Sequence, residues 1–289
     1  MIKTIFVPTS GSQTDDNVFA TALAVGRPLA AHLEFYHLRL SPSEAAVRSP
    51  HVQFCAVPAI NDAFGRLQER DDDLSAVARG HFEEFCKANG VTIRQAPSAP
   101  EELSAAWVEE PDEAERRLMF RARHSDLVVL GRQQHDDFMP YNLIERLLMG
   151  RGRPILIAPA APPAGQTGTV IAGWNETPEA SRALTAALPL MKGARRVVLV
   201  NVEEDRAPMV EDLEHLVRQL QWHGIAAEPL SISRKSAEGP RQLIDLAVEM
   251  HADLLVVGGY GHKPLREAVC GGVTRSLIEG ADVPVFMMH

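Results

Sequence analysis

The sequence predicts an α/β fold in which two doubly wound, parallel, five-stranded sheet domains follow one another along the chain. Short apolar segments rich in β-branched residues alternate with segments of helical periodicity, which is typical of parallel sheets covered by helices. The same landmarks also occur twice. Asp126-Leu-Val-Val-Leu-Gly131 is echoed by Asp253-Leu-Leu-Val-Val-Gly258, and Pro154-Ile-Leu-Ile is echoed by Pro284-Val-Phe-Met. Such repetition indicates two copies of one unit.

Between the copies lies the proline- and glycine-rich segment 159–168, which has the composition of a linker. We therefore expect domains at 1–158 and 169–289. In the first copy, strands are predicted near 4–7, 33–38, 91–95, 127–130 and 155–158, and helices near 15–29, 63–89, 111–123 and 143–149. Residues 41–60 and 97–110 are predicted insertions, because the first copy is the longer one.

The second copy repeats this order with fewer residues. Strands are predicted near 170–173, 197–202, 226–232, 254–257 and 283–286, and helices near 178–191, 209–222, 240–250 and 273–279. Proline at the start of a helix and glycine after its end mark several of these boundaries, as at Pro178 and Gly224.

Composition narrows the functional classes. The 289 residues carry a net charge of −9 and are 45% hydrophobic, so a nucleic-acid surface is not expected. No apolar run is long enough for a membrane span, and the N-terminal residues read as a strand rather than a leader, so we expect a cytoplasmic protein. The 3 cysteines and 11 histidines show no metal-ligand spacing, which favours reduced thiols and scattered surface histidines.

A ligand of such a sheet is expected at the carboxyl ends of the strands, where the strand order reverses. Strands one and four of the second copy should flank that crevice. The segment Gly173-Trp174-Asn175 is therefore expected to lie beside the segment 258–261. Trp174 is interpreted first as a packing residue, with stacking on a base as the alternative.

A glycine pattern follows strand four of the second copy. Glycines at 258 and 261 are followed, after nine residues, by Gly271-Gly272-Val273-Thr274. Backbone N–H groups of such a turn can converge on an anion at a helix N-terminus, and His262 beside it could face phosphates. The alternative is a tight strand-to-helix connection without a ligand.

This pattern between two strands resembles the nucleotide loop of the universal stress protein family, and the resemblance extends over both copies. It implies an adenine nucleotide alpha hydrolase-like or flavodoxin-like topology and ATP or another adenine nucleotide as ligand. On the family pattern the nucleotide contacts fall on Asn175, Val202, Gly258, Gly261, Gly271, Gly272, Val273 and Thr274. Gly173, Trp174 and His262, which lie beside these positions in the sequence, complete the candidate binding residues. Two positions depart from the family pattern: Asn175 stands where the family has Asp, and Gly272 stands where it has Ser or Thr.

The resemblance implies a stress-response protein whose second domain binds ATP, ADP or AMP as a regulatory ligand. The first copy lacks the second glycine after Gly131, so we expect it to be structural. A nucleotide-free scaffold that acts through unidentified protein partners is the alternative function. Catalysis is not expected beyond weak ATP hydrolysis, which would need a carboxylate-rich Mg²⁺ site. The closing strands of the two copies are expected to meet in an intramolecular pseudo-dimer, and a homodimer is the further option.

Overall fold

The computed structural model describes residues 1–9, 11, 15–39, 57–97, 102–110, 114–132, 142–150, 152–162, 168–203, 210–233, 239–259 and 281–289. The strands are β1 (Thr4–Thr9), β2 (His32–Leu38), β3 (Thr92–Ile93), β4 (Ser104–Glu110), β5 (Leu127–Leu130), β6 (Ile155–Ile157), β7 (Thr169–Trp174), β8 (Arg196–Glu203), β9 (Ala227–Ser233), β10 (Leu254–Gly258) and β11 (Val285–Met288). The helices are α1 (Asp15–Leu29), α2 (Val57–Asn89), α3 (Ala114–His124), α4 (Leu143–Met149), α5 (Pro178–Met191), α6 (Val210–Trp222) and α7 (Gly239–Glu249).

These strands form one sheet in the order β3-β4-β2-β1-β5-β6-β11-β10-β7-β8-β9. Below, residues 1–158 are called the first half and residues 169–289 the second half. All pairings within each half are parallel. The second half numbered by itself has the order 3-2-1-4-5, whereas a flavodoxin sheet has the order 2-1-3-4-5. The α/β fold class with two doubly wound halves is confirmed.

The two halves meet through β6 and β11, which pair antiparallel. Val285 lies opposite Ile157, Phe286 opposite Leu156, and Met287 opposite Ile155. These side chains are buried, so each closing strand covers an edge that would otherwise be apolar and unpaired. The prediction that the closing strands meet inside the chain is therefore confirmed.

Helices cover both faces of the sheet, and neighbouring residues of one strand therefore enter different cores. On β2, Phe35 joins the core beneath α1 and α2, while Tyr36 joins the core beneath α3 and α4. This explains why the central strands are apolar at successive positions.

An equivalent aspartate anchors the first strand of each half. Asp126 Oδ2 accepts hydrogen bonds from the backbone N–H groups of Lys3 (2.8 Å) and Thr4 (3.1 Å). Asp253 Oδ2 accepts them from Gly168 (2.9 Å) and Thr169 (2.7 Å). Both carboxylates lie at the amino ends of the strands, away from the crevice. Asp126 holds the start of β1 against β5, and Asp253 holds the start of β7 against β10.

The first half departs from the sequence prediction in its third strand. The segment 97–110 was expected to be an insertion, but Ser104–Glu110 is a seven-residue strand paired along all of β2. The predicted strand at 91–95 is only the two-residue β3, and both of its residues are exposed. The first half thus contributes six strands instead of five. The helix predicted from 63 begins at Val57, inside the segment 41–60 that was predicted to be an insertion.

Candidate functional site

The strand order of the second half reverses between β7 and β10. The chain runs outward through β8 and β9 and then returns to the other side of β7. Val256 lies opposite Ala172, so the ends of the two strands reach the same edge of the sheet. A Cβ placed on Gly173 would lie 3.3 Å from Val257 Cγ1. The structure therefore brings Gly173 and Trp174 beside Gly258, as the sequence predicts.

Gly258 lies directly against the first turn of α5. A Cβ placed on it would be 2.5 Å from the backbone nitrogen of Ala180 and 2.8 Å from the carbonyl carbon of Glu179. Real Cβ atoms essentially never approach other atoms so closely. The glycine pattern predicts that Gly258 belongs to a turn that can bind an anion. The structure gives it a second use, because only glycine allows β10 to end against the α5 backbone.

The segment between β7 and α5 places Asn175 at the crevice. Thr177 is the N-cap of α5, and its hydroxyl accepts a hydrogen bond from the Ala180 N–H at 3.2 Å. The same hydroxyl donates to Asn175 Oδ1 at 2.8 Å. The residue between them, Glu176, has a positive φ of 56°. The side chain that occupies the family's aspartate position is therefore tied to the start of α5.

Trp174 and Val202 lie at the ends of adjacent strands. Trp174 is half-buried and packs against the core, and its register partner on β8 is Asn201, which is 2% exposed. The indole Nε1 of Trp174 is buried and has no hydrogen-bond partner among the residues that the structure describes. Val202, one residue beyond Asn201, is half-buried and pairs with Ile232 on β9. Packing, the first interpretation of Trp174, agrees with these contacts.

Six of the predicted contact residues lie outside the described residues, so their place at this edge stays a prediction. They are Gly261, His262, Gly271, Gly272, Val273 and Thr274. Within the described ranges, no group of three or more His, Cys, Asp or Glu side chains could hold a metal ion. No helix within these ranges is both long and apolar enough to cross a membrane.

The first half has polar residues at its equivalent edge that the sequence analysis did not single out. Thr9 at the end of β1 lies opposite His37 on β2, and they are 0% and 2% exposed. His37 and Asn201 occupy equivalent positions, since each lies opposite the last residue of the first strand in its half. The expectation of scattered surface histidines is wrong for His37. A polar residue between the apolar Tyr36 and Leu38 near the end of a strand was the available signal.

Residues 168–289 match the model of the Universal stress protein family. The second half of the chain belongs to the universal stress protein family. No curated protein sequence matches the chain.

A solved universal stress protein shows that the fold extends over the first half as well. The chain resembles a universal stress protein from Archaeoglobus fulgidus DSM 4304 with 14% identity and a TM-score of 0.67, covering 99% of this chain and 95% of that one. It resembles a functionally unknown protein from Pseudomonas aeruginosa PAO1 with 15% identity and a TM-score of 0.51, covering 99% and 92%. A universal stress protein in complex with cAMP is 22% identical and covers 43% of this chain and 97% of its own, with a TM-score of 0.36.

Proposed function

We propose that the second half binds an adenine nucleotide, such as ATP, ADP or AMP, in the crevice between the carboxyl ends of β7 and β10. One observation carries the proposal. The strand order reverses between β7 and β10, which end at Trp174 and Gly258, and both strands belong to the segment that matches the universal stress protein family. In open α/β sheets this is the position where ligands bind. The glycine pattern of 258–274 continues from this edge in sequence.

In this proposal the nucleotide is a regulatory ligand of a stress-response protein and is not rapidly turned over. Asn175 has an amide in place of a carboxylate, and its oxygen already accepts a hydrogen bond from Thr177. A neutral amide is a weaker ligand for Mg²⁺ than a carboxylate, so we expect ATP hydrolysis to be weak or absent. Nucleotide occupancy would change the surface that protein partners meet at this edge of the sheet.

Titration calorimetry with ATP, ADP and AMP tests the proposal on the full chain. We expect saturable heat from at least one nucleotide and a one-to-one stoichiometry. The melting temperature should rise with ligand concentration, because a ligand at 100 times its dissociation constant stabilises the folded state by about 2.7 kcal/mol. Absence of both effects in folded protein would exclude nucleotide binding.

A pair of matched substitutions locates the site. Gly261→Val is expected to abolish binding, because a branched side chain blocks the close approach of a phosphate to a glycine turn. Gly65→Val is the control, since a Cβ at Gly65 on α2 meets no atom within 4 Å. Equal loss of affinity in both variants would place the nucleotide elsewhere. Asn175→Asp is expected to tighten ATP binding in the presence of Mg²⁺.

A nucleotide-free scaffold is the second candidate, and two contacts favour it. The backbone of α5 fills the space beside Gly258, and the Asn175 side chain accepts a hydrogen bond from Thr177. Under this alternative the glycines serve packing and the protein acts only through protein partners. Lack of nucleotide absorbance in purified protein, together with an unchanged melting temperature in ATP, would support the scaffold.

A further inference from the structure

Helix α2 lies across the strand ends of the first half. Its inward-facing residues recur at helical spacing, with Ser75, Ala78, Phe82 and Cys86 all buried. Phe82 packs on Trp107 of β4 with ring centroids 5.3 Å apart. Residues 71–78 lie over the carboxyl ends of β1 and β2, because a Cβ placed on Gly11 would be 3.4 Å from Ala78 Cβ and 3.5 Å from the Leu74 carbonyl oxygen. We call residues 71–78 the α2 cover.

Ion pairs join the α2 cover to the end of β2. Arg39 Nε lies 2.8 Å from Asp71 Oδ2, and its Nη2 contacts Asp72 Oδ1. The Arg39 side chain is only 19% exposed, so these pairs are screened less than fully exposed ones. Among the described residues, the first-half edge is thus covered by its own helix, with Thr9 and His37 buried beneath it.

His37 lies beneath this cover with an incomplete set of hydrogen bonds. Its Nδ1 is 3.5 Å from the Thr9 hydroxyl, and its ring stacks on Trp107 at a centroid distance of 5.7 Å and an interplanar angle of 17°. Its Nε2 is buried and has no partner among the described residues. The ring also lies beneath Gly11, since the same built Cβ would be 3.7 Å from His37 Cε1.

The charged groups around His37 come from several elements. Burial lowers the pKa of His37 below the usual 6.5, and this is the largest influence; Arg39 lowers it further, while Glu109 and Asp71 raise it. Glu109 on β4 accepts a hydrogen bond from the Trp107 indole. On α1, the Asp15 carboxylate accepts one from the Gly11 N–H at 2.8 Å. The ring is therefore neutral when the cover is closed at neutral pH.

We propose that the α2 cover is an acid-responsive element that moves away from the sheet when His37 becomes protonated. A protonated imidazole has two N–H donors, and in the closed state Nε2 faces no acceptor among the described residues. Movement of residues 71–78 exposes the ring to water and lets Nε2 hydrogen-bond. Opening also takes Asp71 away from Arg39 and His37, and water at the exposed ring then screens the charge of Arg39.

The direction and size of the response follow from proton linkage. An exposed histidine in the open state titrates near 6.5, whereas the closed state binds its proton only at lower pH. Open molecules therefore bind more protons below pH 6.5, and acid favours opening. For one such proton, the opening equilibrium constant rises between pH 7.5 and pH 5.5 by at most about tenfold.

Hydrogen exchange of the backbone amides of 71–89, corrected for the intrinsic effect of pH, measures this opening. After correction, the wild-type chain should exchange faster at pH 5.5 than at pH 7.5, by up to about tenfold. His37→Asn should remove the dependence on pH, because asparagine does not titrate in this range. Asparagine is already accepted at the equivalent position of the second half, where Asn201 is buried.

His32→Gln is the matched control on the same strand. The pKa of His32 is also lowered by burial, but its Nδ1 is 2.9 Å from the Ser104 hydroxyl, at the opposite end of β2 from the cover. This variant should keep the wild-type response. Arg39→Gln should raise exchange at both pH values and still respond to acid, which provides a test if His37→Asn does not fold. A wild-type chain without a pH response, or a response that is lost in His32→Gln, would overturn the proposal.

Discussion

Gly258→Ala tests whether β10 ends against the backbone of α5. The added Cβ would lie 2.5 Å from Ala180 N, 2.8 Å from Glu179 C and 3.0 Å from Ala180 Cα. Optimal contact between such atoms is at least about 3.5 Å, so the first turn of α5 must move by about 1 Å. None of these atoms belongs to a rotatable side chain, and the Thr177 cap holds the turn in place. Overpacking of this kind costs about 1–3 kcal/mol, and we expect the upper part of that range.

Urea unfolding followed by circular dichroism measures the cost. A lower midpoint with an unchanged slope would report lost stability alone. Gly259→Ala is the adjacent control, because its Cβ would contact only side chains, the nearest being Leu148 Cδ2 at 3.6 Å. We expect the control to stay within about 0.5 kcal/mol of the wild type. A Gly258→Ala chain as stable as the Gly259→Ala chain would show that β10 and α5 are not in backbone contact.

Three further predictions concern residues whose roles are visible in the structure. Asp253→Ala should cost about 1.5–3 kcal/mol in urea unfolding, because the Gly168 and Thr169 amides lose a charged acceptor; an unchanged midpoint would contradict this. Burial raises the pKa of the Cys86 thiol to about 11, so in a Cys55→Ser/Cys270→Ser chain a thiol reagent at pH 8 should label only unfolded protein. Stoichiometric labelling of the native chain would be the opposing result. Thr177→Ala should cost about 1 kcal/mol by removing the α5 cap, whereas Thr177→Ser should restore most of it; equal stability of both variants would exclude a capping role.

Local signals in the sequence predict much of the fold. Helix α5 begins and ends as predicted, because Thr177 caps it and Pro178 suits its first turn. The central strands are also predicted, since they are short, apolar and β-branched. The prediction fails for β4, which ends in two glutamates and follows a segment with two prolines and two further glutamates. That strand is recognised only by its pairing with β2, which is a contact between distant parts of the chain.

In the candidate site, too, the sequence predicts the positions of the strand ends but not the contacts between distant segments. The sequence predicts that Trp174 and Gly258 share an edge, because strand order in doubly wound sheets follows general rules. It does not reveal that Gly258 meets Ala180, since packing between a helix and a distant strand leaves no local pattern. The burial of His37 could not be predicted for a related reason. It depends on α2, whose covering segment lies more than 30 residues further along the chain.

The antiparallel contact between β6 and β11 decides how the two halves can influence each other. Each half is parallel within itself, so its strands all end at one edge, and the antiparallel contact places those edges on opposite sides of the molecule. Trp174 and His37 therefore lie at opposite edges of the sheet, and one ligand cannot touch both. Gly259 donates a backbone hydrogen bond to Met288 at 2.9 Å, and a Cβ placed on it would be 3.6 Å from Leu148 of the first half. A change at the end of β10 can therefore be passed to the first half through its contacts with β11 and with Leu148 of α4.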